Sequence, residues 1–362
     1  MKYQYWFTQI PGIGNVKQQS LLIACGGAEA VYYMEEKELS EISHIKQKDV
    51  HSIVESRKTW DLDDSYERFL ESGIKFVTME QPEYPRRLTN ISQSPYALFY
   101  KGELPAEEKR SIAIVGARMC SEYGRYYAKE IATLAVKCDV NVISGMALGI
   151  DGASHYGAMQ QHGKTYAVLG CGVDYCYPKS NRVLYEYMTT QGGIISEYVP
   201  KTAPVARLFP QRNRIISGLS DAVIVIEAKE RSGSLITADF AMEQGKDVYA
   251  LPGRITDALS GGCNRLIKQG AGIITSPKEL FGDLAVSCSP MEGMRNLRKI
   301  VLEKEEGLVY SVLDLQPKNI EQLCSETKLE IDRLCNVLIG LENAGLIKEV
   351  FKNYFIRIHE IN

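Results

Sequence analysis

Two hydrophobic periodicities alternate through the middle of the chain. Apolar, β-branched runs at residues 111–116, 141–144, 165–170, 194–196, 221–228, 247–252 and 272–275 are separated by stretches in which apolar residues recur at helical spacing, such as 122–137, 151–162, 235–244 and 264–269. The run Ala222-Val-Ile-Val-Ile226 has no polar alternation, as expected of a strand covered on both faces, and such strands belong to parallel sheets flanked by helices. Strand and helix alternating in this way predict an α/β fold: a doubly wound, mostly parallel, Rossmann-like sheet over residues 111–282.

The flanks carry different patterns. Residues 1–75 show helical spacing, clearest at 17–24, 28–34 and 49–56, and predict a small helical domain of the helix-hairpin-helix or SAM-like kind. Its opening, Ile10-Pro-Gly-Ile-Gly14, is a turn that either shapes the hairpin or presents amides to a DNA phosphate. Residues 76–110 read as a connector, with Tyr84-Pro85-Arg86-Arg87-Leu88 extended and a strand at 96–102. Residues 283–304 read as a linker. Within 305–362, helical stretches at 307–315, 320–327 and 331–344 precede a hairpin of 346–350 and 354–358, the pattern of a winged helix.

At 362 residues and 45% apolar, the chain has room for two or three domains. No apolar run approaches the ~20 residues that span a bilayer, and the N-terminus has no signal-peptide core, so a cytoplasmic location with no membrane contact is expected. Nine scattered cysteines without a C-x-x-C pair, and five histidines away from them, predict reduced thiols and no metal site. The net charge of −3 divides unevenly: residues 110–282 hold 19 basic and 15 acidic side chains, while 305–362 hold 6 and 10. Positive charge therefore collects in the predicted sheet domain.

Candidate chemistry gathers at strand ends. Gly116-Ala-Arg118, Ser144-Gly145 through Asp151, Gly170-Cys-Gly172 with Tyr177-Pro178-Lys179, Ser232-Gly233-Ser234 and Pro252-Gly253 each follow a predicted strand. Ligands of open α/β sheets bind at that carboxyl edge, and amides at a helix start hold anions. With the basic knot Arg212-Asn213-Arg214, predicted to precede a short helix at 215–219, these turns point to a phosphate-bearing partner. The alternative is a tight αβ connection with surface arginines. One arginine of the knot is expected to face the sheet or an acid such as Asp221, and Ser144 and Asp151 have an equal explanation as caps.

A dinucleotide cofactor is not expected, because the first turn carries Arg118 where G-x-G-x-x-G would leave bare backbone, and without a P-loop neither is ATP hydrolysis of that kind. Asp151, Asp174, Glu197, Glu227 and Asp239, with the hydroxyls of Ser234 and Thr237, lack a His or Lys at nucleophile spacing. Neither catalysis nor a cofactor is therefore expected.

The segments IAIVGAR (112–118), ISGMALGID (143–151), YAVLGCGVDYCYPKSN (166–181), FPQRNRIISGLSDAVIVIEA (209–228), SGSLITADFAMEQGKDVYALPG (232–253) and GCNRLIKQGA (262–271) resemble the DNA-processing protein A (DprA, or Smf) family. The resemblance implies a single-stranded DNA-binding protein that protects incoming DNA and loads the RecA recombinase in natural transformation (competence), and a homodimer formed through the central domain. It also implies DNA contacts for Arg118 of the G-x-R turn, for Lys179 of Tyr-Pro-Lys, and for Arg207, Arg212, Asn213 and Arg214, with Phe209 stacking a base or simply packing. The turn residues Gly116, Ser144, Gly145, Ser232, Gly233 and Ser234 complete the candidate surface. The Ser-Gly-Ser-Leu-Ile-Thr turn is also similar to the P-G-G-x-G-T-x-x-E motif of nucleotide phosphoribohydrolases, without its double Gly and Glu, and leaves a nucleoside monophosphate-processing enzyme as the alternative. The acidic C-terminal module is expected to contact protein or regulate the chain rather than read DNA.

Overall fold

The computed structural model describes residues 1–286 and 302–358. Six helices open the chain: α1 (Lys2–Gln9), α2 (Asn15–Cys25), α3 (Ala28–Tyr33), α4 (Glu36–Glu41), α5 (Gln47–Thr59) and α6 (Leu62–Glu71). The predicted hairpin joins α1 to α2, and Gly12 takes φ +77° there, a left-handed value that favours glycine. Trp6, Phe7, Leu21, Val31, Leu39 and Ile53 fill the core of this segment. The segment also shares side chains with the sheet. Tyr5 of α1 stacks on Phe69 of α6 at 4.4 Å, and both join Phe99, Ala167, Leu169 and Ile194 in one buried cluster. Helices and sheet consequently form one compact unit.

The sheet follows as β1 (Lys75–Thr78), β2 (Ala97–Gly102), β3 (Ser111–Val115), α7 (Glu122–Lys137), β4 (Asn141–Ser144), α8 (Ile150–Gln160), β5 (Thr165–Val168), α9 (Arg182–Met188), β6 (Gly192–Ser196), α10 (Leu208–Gly218), β7 (Ala222–Val225), α11 (Gly233–Glu243), β8 (Asp247–Ala250), α12 (Gly261–Lys268), β9 (Gly272–Ile273) and α13 (Pro277–Asp283). Strand order is β1-β2-β6-β5-β4-β3-β7-β8-β9. The seven strands from β6 to β9 are parallel, and β1 and β2 extend one edge antiparallel. The chain starts at β3, winds outward through β4, β5 and β6, then returns to place β7 on the other side of β3, with Ile112 opposite Ala222 and Val115 opposite Val225. This reversal opens a crevice beyond the ends of β3 and β7, where a doubly wound sheet binds its ligand. The fold class predicted from the hydrophobic pattern is the one observed.

One local departure matters for the site. Helix α10 begins at Leu208, not near Ile215 as expected, so Arg212, Asn213 and Arg214 lie inside it. Pro210 stands in its first turn, where a missing N–H costs nothing. At 3.6 residues per turn, side chains two positions apart point ~200° away from each other, so Arg212 and Arg214 face opposite sides.

The C-terminal unit comprises α14 (Lys304–Val312), β10 (Lys318–Asn319), α15 (Ile320–Thr327), α16 (Ile331–Asn343), β11 (Ile347–Phe351) and β12 (Tyr354–Arg357), with its strands antiparallel in the order β10-β12-β11. Asn319 and Gln322 form a reciprocal capping box on α15. Val309, Leu323, Leu334, Leu338, Leu341 and Ile347 are buried between helices and hairpin. The linker expected at 283–304 lies largely outside the described residues.

Among the described residues no helix is long and apolar enough to cross a membrane, and no group of three or more His, Cys, Asp or Glu could hold a metal ion. Among the described residues seven cysteines have free thiols.

Candidate functional site

Turns from several strands converge on a cleft of about 410 Å³ beyond the ends of β3 and β7. One wall is the turn from Gly116 to Met119, another is the face of α10 that carries Phe209, Arg212 and Asn213, and a third runs from Arg231 through Ser234 at the start of α11.

Arg212 forms the floor. Only 4% exposed, it donates from Nη1 to the carbonyl oxygens of Gly145, at 3.0 Å, and Val168, and from Nε to Asn213 Oδ1 at 3.2 Å. Beside it, Asp151 Oδ2 accepts from the amides of Gly145 (3.2 Å) and Ala147 (3.4 Å), so Asp151, inside the first turn of α8, ties down the preceding loop rather than capping the helix, whose N-cap is Gly149. A Cβ at position 145 would lie 2.7 Å from both Arg212 Nη2 and Asp151 Oδ2, which is why glycine stands there. Burial lowers the Arg212 guanidinium to about 10, opposed by the charge of Asp151. Burial likewise pushes the Asp151 carboxyl up, opposed by Arg212. Arg212 is therefore still protonated at neutral pH, a fixed positive charge beneath the cleft.

The walls add mobile charge and a ring. Arg118, Lys229 and Arg231 are exposed cleft-lining residues, and none of them enters an ion pair with the described residues. Phe209 is half-buried, with the guanidinium carbons of Arg118 and Arg212 at 5.8 and 5.9 Å from its ring centre. Ser232 caps α11 by accepting from the Ser234 amide, and its Oγ lies 2.8 Å from Ser234 Oγ. Asn213 Nδ2 donates to the Gly233 carbonyl at 3.2 Å, fixing α10 against this turn. Free amides of the first turn, together with the four cationic groups, make the cleft suited to a phosphate.

The structure thus brings together Gly116, Arg118, Phe209, Arg212, Asn213, Ser232, Gly233 and Ser234 of the residues singled out from the sequence. Lys179 and Arg207 are exposed but lie outside the cleft lining, Lys179 on the turn Lys179–Asn181 and Arg207 at the N-cap of α10. Ser144 and Arg214 depart from the expected role of ligand contacts. Ser144 is fully buried, its hydroxyl donating to the Ile114 carbonyl at 2.6 Å, and Gly145 lies beside it beneath the floor. Arg214 is buried against Glu197 through Nη1–Oε1 at 2.8 Å and Nη2–Oε2 at 2.6 Å. Its acidic partner is thus Glu197; Asp221 pairs instead with Arg87 at 3.0 Å. Sequence reasoning passed over Lys229 and Arg231, although Lys-Glu-Arg directly preceding Ser-Gly-Ser at a strand end was a readable signal.

Comparison with known proteins places this geometry. Residues 75–285 match the family of DNA recombination-mediator protein A. The chain is 45% identical over 200 residues to the DNA processing protein DprA of Streptococcus pneumoniae, spanning 55% of this chain and 71% of that relative. The X-ray structure of DNA processing protein A from Streptococcus pneumoniae superimposes with a TM-score of 0.70 at 35% identity, over 78% of this chain and 98% of that one. DNA processing protein A from Helicobacter pylori, whose structure gives insight into its single-stranded DNA binding mode, aligns with a TM-score of 0.52 at 28% identity, over 58% of this chain and 96% of that one.

Proposed function

The chain belongs to the DNA recombination-mediator protein A family, and from that premise we propose that it binds single-stranded DNA in the cleft beyond β3 and β7. The supporting observation is the composition of that cleft: a buried arginine below, exposed Arg118, Lys229 and Arg231 around it, helix-start amides on one wall and the Phe209 ring among them. A single strand needs cations along its backbone and an aromatic face for its bases.

In this proposal the protein protects incoming single strands and loads the RecA recombinase on them during natural transformation, acting in the cytoplasm as a homodimer formed through the central domain. It performs no catalysis and needs no cofactor: it is a binding and loading protein. The C-terminal unit is a winged helix that serves protein contact or self-regulation.

The test is affinity for single-stranded and duplex DNA across a salt series. Single-strand preference is expected, and Arg118→Ala or Lys179→Ala should each lower the slope of log K against log salt by about 0.7, one phosphate contact. Wild-type affinity and slope in both variants would remove these residues from the site. Release of free base from a nucleoside monophosphate, with little DNA affinity, would favour the phosphoribohydrolase alternative.

A second expectation concerns the C-terminal unit. Its third helix, α16, begins with Glu330 and Asp332 beside a single Arg333 and ends near Glu342, a poor complement to phosphate. Deletion after residue 286 should leave single-strand affinity within about threefold of the full chain, because the cations that hold phosphate stay behind. A tenfold loss would show that this unit grips DNA.

A further inference from the structure

The aromatic surface continues beyond the cleft. Tyr177, on the loop after β5, packs on Phe209 with ring centres 5.6 Å apart and planes inclined at 32°. Phe209 is the inner ring of the pair: it is half-buried, two guanidinium groups lie over it, and a Cβ at Gly170 would sit 2.8 Å from its Cδ1. Tyr177 is the outer ring and is 46% exposed. Its loop is pinned on both sides, by Asn181 Nδ2 donating to the carbonyls of Met146 (2.9 Å) and Ala147 (3.2 Å) and by the Tyr175 amide donating to Gly172 at 3.1 Å. The ring is thus presented on a fixed backbone, which lowers the entropy cost of stacking on it.

We propose that Tyr177 is a base-stacking residue: its open face takes the nucleobase next to the cleft, with Phe209 as the ring behind it and the exposed Lys179 beside the adjoining phosphate. The proposal rests on the reading that the cleft holds single-stranded DNA, and it gives the strand a direction of exit, over the loop after β5. A base inserted between the two rings would need about 6.8 Å, two stacking spacings of about 3.4 Å, and the rings are closer than that. The base therefore lies on the outside. Every base has a π-face, so the platform is indifferent to sequence.

The experiment compares Tyr177→Ala and Tyr177→Phe with wild type in the full chain, on an oligothymidine and on an abasic strand of equal length. Tyr177→Ala should weaken oligothymidine binding about tenfold, within the range for loss of one stacked base, while Tyr177→Phe stays within about twofold. On the abasic strand all three proteins should bind alike, and the salt slope of Tyr177→Ala should equal that of wild type, since no phosphate contact is lost. Wild-type binding of oligothymidine by Tyr177→Ala, or an equal loss on the abasic strand, overturns the proposal alone. Absence of single-strand binding by the wild-type protein overturns the functional reading and this proposal with it.

Discussion

Glu197→Gln should cost the protein about 3–5 kcal/mol of folding stability, the usual penalty for breaking a buried ion pair from one side. The Arg214 and Glu197 side chains are 5% and 8% exposed, and the two terminal guanidinium nitrogens of Arg214 each meet one carboxylate oxygen. The pair is also a junction. Asn15 Nδ2 at the start of α2 donates to Glu197 Oε2 at 2.8 Å, and Arg214 Nε donates to the Gln93 carbonyl at 3.0 Å. Helix α2, the connector and α10 are held together through this pair, the connector by the guanidinium and α2 by the carboxylate. Neutralising it leaves the guanidinium buried without a counter-charge. Urea denaturation of Glu197→Gln, Arg214→Met and the double variant checks this: the double should lose clearly less than the sum of the singles, as expected for residues in contact. Losses below about 1 kcal/mol, the range of exposed pairs, would show that solvent screens the junction. Because Arg214 faces away from the cleft, folded Arg214→Met should keep its affinity for single strands.

The second large effect is acid destabilisation through His155. This residue is fully buried on α8, and its Nδ1 lies 2.7 Å from Thr165 Oγ1. The Thr165 hydroxyl donates its proton to the Val142 carbonyl at 2.9 Å, so its oxygen accepts from Nδ1–H, and Nε2 carries the lone pair. Nε2 has no hydrogen-bond partner among the described residues. Protonation would place a charge there with no acceptor among the described residues, and burial, aided by the positive charge of Arg212, lowers the His155 pKa to about 3. The folded pKa lies below the unfolded value of about 6.5, so the unfolded chain takes up the proton first. The neutral ring's contribution is fully present above pH 6.5 and is lost as pH falls toward 3, at about 1.4 kcal/mol per pH unit, on the order of 5 kcal/mol in all. His155→Gln cannot take up that proton. Its stability, measured by denaturation between pH 7 and 4, should fall less steeply by about one proton's slope, whatever its stability at neutral pH. An unchanged slope would place the acid sensitivity elsewhere.

Much of the fold was legible because its signals are local. Strands buried on both faces announce themselves as unbroken β-branched runs, and the helix expected at 122–137 is the helix observed. Helices α1, α4, α6, α9 and α13 were not anticipated; α1 reads KYQYWFTQ, aromatic on several sides, because it packs against both its own bundle and the sheet. Helix α10 was expected only over 215–219 but starts at Leu208, since Pro210 falls in its first turn, where it is tolerated.

The candidate site divides in the same way. By itself the sequence determined that Gly- and Ser-rich turns follow the strands and that a doubly wound order carries them to one edge of the sheet, since element type and turn chemistry depend on neighbours in the chain. Only the tertiary structure decided the fate of each side chain. It sent Arg212 under the cleft and Arg214 to Glu197, turned the Ser144 hydroxyl into the sheet, and set Tyr177 on Phe209. Burial and pairing depend on residues far away in sequence, and a charge or hydroxyl is free for a ligand only when no such partner has already taken it.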